Sequence, residues 1–316
     1  MRAAAIFGLG CSPKNLTAFQ TDNSVEWRMG MPASGDEADV ILLFGGDGTI
    51  HRHLEQLVRL GLPVLVVPAG SGNDFARALG LRGVRDSLAA WRKFRGGAGN
   101  VRRVDLGVIS GGESAGGAPF DKLRAGSSAI AQGRPAPQDP RYFCCVAGVG
   151  LDGEVARRAN GLPRWLRGHG GYLLSLLPTI LRFAPLLMKI SVPADGDGEA
   201  GWITRSDQPT ILAAFANTPV YGGGMKIAPH ARMDDGLLDV CIVGTLDRFK
   251  LFCLFPTIYS GGHLNIEEVS YFQAGRVRVE TEHPLDVYAD GEYVGRTPVE
   301  VGLELAALNV VVSEDE

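Results

Sequence analysis

Two short apolar runs, Val40-Ile41-Leu42-Leu43-Phe44 and Pro63-Val64-Leu65-Val66-Val67-Pro68, set the pattern of the first third of the chain. Apolar runs of this length closed by glycines predict strands buried on both faces. Between them, Thr49 to Leu60 carries Ile50, Leu54, Leu57 and Val58 at helical spacing, which predicts an amphipathic helix. Strand, helix, strand is a parallel crossover, so the loops after both strands fall on one edge of the sheet, where open α/β sheets bind ligands. A further strand is predicted over Ala3 to Leu9, short elements over Leu16 to Gln20 and Val25 to Met29, and helices over Asn73 to Leu79 and Val84 to Phe94. Gly96-Gly97-Ala98-Gly99-Asn100 ends this alternation. Beyond it, strands are predicted over Val101 to Ile109, Tyr142 to Val149, Ile211 to Asn217, Leu237 to Val243, Val277 to Glu280, Leu285 to Tyr288 and Leu308 to Val312. Many strands with turn punctuation predict an antiparallel β-sandwich. The expected fold is an α/β domain with a parallel sheet over residues 1–100 and a larger β-rich domain over residues 101–316.

Chemistry concentrates in the two glycine loops. Gly45-Gly46-Asp47-Gly48-Thr49 closes the first apolar run and Ala69-Gly70-Ser71-Gly72-Asn73-Asp74-Phe75-Ala76 the second. Glycines leave the backbone bare, so amide N–H groups can close on phosphate oxygens. A lone carboxylate among them would repel a phosphate, and Asp47 makes sense where Mg²⁺ or a proton transfer lies between the two. The combination predicts a nucleotide-using enzyme. Asn73 and Asp74 also suit the N-cap of the helix that follows. Asp290-Gly291-Glu292 and Asp234-Asp235-Gly236 read, by spacing alone, as turns.

The 316 residues, 45% hydrophobic and 21% charged, suit a globular chain of about two domains. A net charge of −4 argues against general nucleic-acid binding. Cys11, Cys144, Cys145, Cys241 and Cys253 have no metal-ligand spacing and predict reduced thiols and a cytoplasmic setting. The six histidines, His51 and His53 included, show no zinc spacing and receive no chemistry. No signal peptide is visible, and the apolar stretch from Tyr172 to Ile190 is broken by Pro178, Arg182, Pro185 and Lys189, a poor membrane span. Arg157, Arg158, Arg164 and Arg167 beside Leu162, Trp165 and Leu166 suit either a membrane-facing edge or a core helix with a solvated basic rim. Ser110 to Pro140, rich in Gly, Ala, Ser and Pro, reads as a disordered insertion at a hairpin tip.

The GGDGT loop followed by PAGSGNDFA resembles the diacylglycerol kinase catalytic domain of lipid kinases, a family of soluble bacterial diacylglycerol kinases, sphingosine kinases and ceramide kinases. Further segments match in order: Ala147-Gly148-Val149-Gly150-Leu151-Asp152, Asn217 with Gly222-Gly223-Gly224 and Ala228-Pro229, Asp234-Asp235-Gly236-Leu237-Leu238-Asp239-Val240, and Asp290-Gly291-Glu292. Two departures stand out. The first strand runs into Gly10-Cys11-Ser12-Pro13-Lys14-Asn15 rather than the family's Asn-Pro-x-Ser-Gly loop. The GGDGT loop is followed by Ile50-His51-Arg52-His53 rather than Ile-Asn-Glu.

The resemblance implies an ATP- and Mg²⁺-dependent kinase that phosphorylates the hydroxyl of a membrane lipid, with the active site between an N-terminal nucleotide domain and the β-rich domain. Diacylglycerol, giving phosphatidic acid, is the default acceptor; a sphingoid base, ceramide or phosphatidylglycerol stays open. Nucleotide binding falls to Gly45, Gly46, Asp47, Gly48, Thr49, Gly70, Ser71, Gly72, Asn73 and Asp74. Glu292 is the expected general base, Asp290 its orienting partner, and Asp47 the holder of catalytic Mg²⁺ through water. Asp235, with the carbonyls of Arg232 and Leu237, is expected to hold a structural Mg²⁺, and Asp152 to meet the lipid's polar end. Transient contact with the inner membrane face and a homodimer are the expected partnerships. An NAD kinase would share GGDGT but lack the GSGNDF loop and the DGE turn; a non-catalytic lipid- or nucleotide-binding regulator would need neither Asp47 nor Glu292.

Overall fold

The structure, a computed structural model, describes residues 1–313 except 22, 112–140, 152, 154, 156–182 and 196–200. Strand β3 (Val40–Gly45) is buried at all six positions, and β4 (Val64–Pro68) at all five. A wholly apolar strand is stable only where both faces are covered, each fully buried Leu, Ile or Val contributing about 1.5–3 kcal/mol. The two strands pair in parallel across α1 (Asp47–Leu60), which buries Ile50, Leu54 and Leu57, as predicted. Strand β1 (Arg2–Phe7) pairs in parallel with β3 on one side and with β2 (Glu26–Met29) on the other. The parallel order is therefore β2-β1-β3-β4.

The short N-terminal connection holds a 3₁₀ segment, Pro13–Phe19, in place of a full helix. It stays anchored because buried Leu16 and Phe19 face the core and Trp91 Nε1 donates to the Phe19 carbonyl at 3.2 Å. Trp91 belongs to α3 (Val84–Arg95), which follows the short helix α2 (Asp74–Ala78).

The remaining strands are β5 (Val101–Gly111), β6 (Arg141–Phe143), β7 (Val146–Gly150), β8 (Leu186–Pro193), β9 (Trp202–Ala216) and β10 (Leu238–Gly244). Helix α4 (Arg248–Leu254) precedes β11 (Val269–Ala274), β12 (Arg276–Thr281), β13 (Asp286–Ala289), β14 (Glu292–Arg296) and β15 (Val299–Val311). Their pairings run β14-β13-β7-β9-β10-β11 along one layer and β8-β12-β15-β5-β6 along the other, with β9 also pairing β8. The apolar interior between the layers includes Phe143, Phe215, Val240, Val277 and Val301. The expected sandwich is present.

The elements depart from expectation in three places. The segment from Tyr142 to Val149 is two strands broken at Cys144–Cys145, because the amides there turn to a carboxylate instead of a neighbouring strand. Strand β15 begins at Val299, well before Leu308, and slips register between Glu304 and Leu308. Ala306 takes φ 51° at that bulge, and its amide donates to Asp105 Oδ1 at 2.7 Å. The kink lets one strand pair with β12 in the sandwich and, at Val310, in parallel with β4. Strand β8 begins in the tail of the apolar stretch read as a poor membrane span, where no strand was expected. Strands β5 and β6 form the expected hairpin, pairing Ile109 with Arg141. The insertion reading for 112–140 lies outside the described residues.

Candidate active site

The two glycine loops meet backbone to backbone. A Cβ on Gly70 would lie 2.5 Å from the Gly46 Cα, and one on Gly46 would lie 2.8 Å from the Gly70 Cα. Only glycine at both positions allows that approach. Asn73, in the left-handed region at φ 55°, fixes the second loop: its Oδ1 accepts from the Gly70 amide at 2.8 Å and its Nδ2 donates to the Gly70 carbonyl at 2.7 Å.

Asp47 caps α2 across the gap. Its carboxylate accepts from the amides of Asp74 at 3.0 Å and Phe75 at 3.1 Å. The N-cap therefore comes from the first loop, which corrects the reading of Asn73 and Asp74 as capping residues. Asp74 instead accepts from Arg77 at 2.5 Å and from the Gly223 amide at 2.8 Å, joining α2 to the Gly222-Gly223-Gly224 loop. Burial, then the charges of Asp74 and Asp290, push the Asp47 carboxyl up to about 6.

Asp290 and Gly291 form the two-residue turn between β13 and β14, with Ala289 opposite Glu292 and both turn residues at positive φ. That is the local hairpin geometry an Asp-Gly pair favours. The turn separates its two carboxylates rather than presenting them together. The Asp290 side chain has no exposed surface. It accepts from the amides of Cys144 and Cys145, both at 2.8 Å, from Val146 N at 3.3 Å, and from Cys144 Sγ at 3.2 Å. Burial works to raise its pKa, but the hydrogen bonds from His51 and from the Cys144 and Cys145 amides outweigh it and hold the group below the usual carboxylate range. Glu292 points the other way and is exposed. Its Oε1 lies 3.5 Å from where a Cβ on Gly48 would stand, directly over the first turn of α1. Asp47 and Glu292, far apart in the chain, thus border one cleft.

His51 reaches the same site. Its Nδ1 lies 3.3 Å from Asp290 Oδ2. Sequence alone assigns His51 no chemistry, and the structure gives it a partner, the Asp290 carboxylate. The signal was available: His51 is four residues after Asp47 on one helix, so both project from the same side. Cys144 and Cys145 had no comparable signal, because their role depends on where the Asp290 turn packs.

Residues 15–109 match the family described as Diacylglycerol kinase catalytic domain, and residues 145–312, over half the chain, match the YegS C-terminal NAD kinase beta sandwich-like domain. A diacylglycerol kinase of Mycobacterium tuberculosis is 33% identical over 273 residues, covering 86% of this chain and 76% of that protein. The chain belongs to the diacylglycerol kinase family of lipid kinases. A diacylglycerol kinase of Bacillus subtilis is 26% identical, covering 89% of this chain and 80% of its own length. In fold, a crystal structure of a diacylglycerol kinase from Bacillus anthracis superposes with a TM-score of 0.62 at 18% identity, covering 98% of this chain and 96% of the other.

Within this lipid kinase, the cleft suits a divalent cation. Burial first, and then the charges of Asp74 and Asp290, hold the pKa of the Asp47 carboxyl raised. A hard cation with oxygen ligands would bring it down. Asp235 is a different case. It is exposed, and its Oδ1 accepts from the Leu237 amide at 3.1 Å, the Asx turn expected of a DG loop. Its neighbour Asp234 pairs with Arg102 at 2.8 Å and Arg232 at 3.2 Å. Asp152 and the Arg157–Arg167 basic segment lie outside the described residues. Among the described residues, no helix is long and apolar enough to cross a membrane.

Proposed function

We propose that this lipid kinase transfers the γ-phosphoryl group of ATP, with Mg²⁺, to the hydroxyl of diacylglycerol, giving phosphatidic acid. The observation that carries the reading is the approach of Glu292 to the first turn of α1, beside Asp47 and the bare glycine loops. Amides of Gly46 to Gly48 and of Ser71 and Gly72, with the Ser71 hydroxyl, cradle the phosphates; the Gly70 and Thr49 amides are held by Asn73 Oδ1 and the Gly46 carbonyl and shape the loops instead. Asp47 holds Mg²⁺ through water, and the ion, when bound, neutralises charge on the phosphates. Glu292 accepts the proton of the lipid hydroxyl as its oxygen attacks the γ-phosphorus and ADP leaves. Asp290 and His51 hold the turn that presents Glu292. A structural Mg²⁺ at Asp235 with the Arg232 and Leu237 carbonyls, Asp152 at the lipid headgroup, and a homodimer are carried over from the family.

The lipid reaches the cleft from a bilayer. Helix α4 exposes Phe249 (77%) and Phe252 (55%) beside Arg248 and Lys250, apolar rings flanked by cations as at membrane interfaces. The chain after α4 returns to the site. Ile258 O accepts from Lys226 N at 3.0 Å, just past the glycine loop that holds Asp74.

The test is a lipid panel with radiolabelled ATP and chromatography of the products. Diacylglycerol should be labelled, and Glu292→Gln should lose labelling about a hundredfold or more while still binding nucleotide. Near-normal turnover in Glu292→Gln removes it as the base; exclusive labelling of sphingosine, ceramide or phosphatidylglycerol replaces the acceptor.

A further inference from the structure

The vicinal thiols Cys144 and Cys145, which phosphoryl transfer does not use, lie against the turn that carries Glu292. Both Sγ atoms and an Asp290 carboxylate oxygen lie within 4.8 Å of one another, all on buried side chains. In a continuous strand, neighbouring side chains point to opposite faces. Here the chain bends between β6 and β7, because the amides of Cys144, Cys145 and Val146 all turn to Asp290. That bend is what brings the two thiols together.

We propose that Cys144, Cys145 and Asp290 form a binding site for a thiophilic divalent cation, zinc or cadmium, and that its occupancy shuts the kinase off. Two thiolates and a carboxylate make a three-ligand set that zinc accepts with a water in the fourth position. With metal–sulfur bonds of about 2.3 Å, a tetrahedral site needs sulfurs about 3.8 Å apart. The sulfurs therefore have to approach by at most about 1 Å, while Cys144 Sγ and Asp290 Oδ2, now 3.2 Å apart, open by a few tenths of an ångström.

Binding forms two metal–sulfur bonds and one metal–oxygen bond, and releases both thiol protons to solvent; no electrons move. The ion takes the place of the proton in the Cys144 Sγ–H···Oδ2 contact with Asp290, now 3.2 Å long. Mg²⁺, a hard ion that prefers oxygen ligands, does not compete for the sulfurs. The thiols hold their protons firmly. Burial drives Cys144 well above the ordinary thiol value; the hydrogen bond from Cys144 pulls Cys145 down, but burial and Asp290 push it up to about 12. Metal affinity must therefore rise with pH.

The binding rests on the cluster alone. The shut-off rests on the proposed function, since an ion seated between Cys144 Sγ and Asp290 Oδ2, now 3.2 Å apart, forces the carboxylate away from that sulfur and shifts the turn next to Glu292.

The experiment uses the full chain with Cys11→Ser and Cys253→Ser, which removes the half-buried and the exposed thiol. Cadmium is titrated under reducing conditions without nucleotide, followed by thiolate-to-metal charge-transfer absorbance and by equilibrium dialysis. One ion per chain is expected, with affinity rising with pH and weakened at least tenfold in both Cys145→Ser and Cys145→Ala. Turnover, normalised to each variant's own metal-free rate, should fall at least tenfold at one equivalent and return on chelation with Mg²⁺ restored. Absent binding, or binding indifferent to both Cys145 substitutions, overturns the site. Stoichiometric binding with full turnover overturns the shut-off. The metal-free rate reports separately on the kinase reading.

Discussion

Asp47→Asn should stabilise the protein while removing its activity. In the folded state the Asp47 carboxyl is pushed from an ordinary 3.8 up to about 6 by burial and by the charges of Asp74 and Asp290. At about 1.4 kcal/mol per pKa unit, the ionised group costs the fold up to about 3 kcal/mol, less where the partly open cleft admits screening water. The asparagine carbonyl can keep one of the two amide bonds from Asp74 and Phe75, and loss of the other costs about 1 kcal/mol. A net gain of about 1–2 kcal/mol follows, or a melting temperature higher by about 1.5–3 °C for a chain of 316 residues. The sign with pH is fixed by linkage. A folded pKa above the unfolded one means the folded state binds more protons between 3.8 and about 6, so this contribution falls as pH rises through that window. Urea unfolding without divalent ions, across that window and at neutral pH, should show the slope in wild type and a flatter one in Asp47→Asn. Added Mg²⁺ should then stabilise the wild type and leave the variant unmoved. A variant that is less stable at neutral pH, or that keeps the wild-type slope, refutes the reasoning.

Gly70→Ala places a methyl 2.5 Å from the Gly46 Cα, where neither backbone can yield, and should cost about 1–3 kcal/mol in denaturant unfolding together with weaker nucleotide binding. Asp290→Ala strips the acceptor from the Cys144, Cys145 and Val146 amides and should cost about 3–5 kcal/mol, read by the same unfolding assay. Phe249→Ser combined with Phe252→Ser touches exposed rings, so stability should move by less than about 0.5 kcal/mol. Sedimentation with anionic vesicles should nonetheless show binding reduced about tenfold, the loss expected when about 1.4 kcal/mol of apolar contact is removed. Unchanged sedimentation sends the bilayer contact elsewhere.

Much of the nucleotide half was legible because its signals are local. Apolar runs closed by glycines define β3 and β4, and the spacing of Ile50, Leu54 and Leu57 defines the helix between them. The sandwich was legible as a class, but its strand boundaries were not. Strand β9 extends back to Trp202 through Thr204, Ser206, Asp207 and Gln208, polar residues whose ladder partners lie on β8, with Arg205 left unpaired in that ladder at a shift of register. Strand β15 hides its length behind Glu304 and the bulge at Ala306, which only Asp105, opposite it on β5 and some two hundred residues earlier in the chain, explains. The site divided in the same way. The motif residues sit where their loops put them, whereas the inward turn of Asp290 and its contacts with His51 and the cysteine bend exist only after the halves pack.

How the acidic groups share their partners decides which of them is left for chemistry. Asp74 has Arg77 and the Gly223 amide; Asp290 has His51, three amides and a thiol. Each of these carboxylates is stabilised by contacts that also bridge from α1 or α2 to the sandwich, so each doubles as a clamp across the cleft. Asp47 has two amides and two like charges nearby, and Glu292 stands exposed above it. The clamping pair is charge-compensated by protein, and the pair facing the cleft is not. That asymmetry is what a site needs if its remaining charge is to be balanced by a bound cation and by the proton of an incoming hydroxyl.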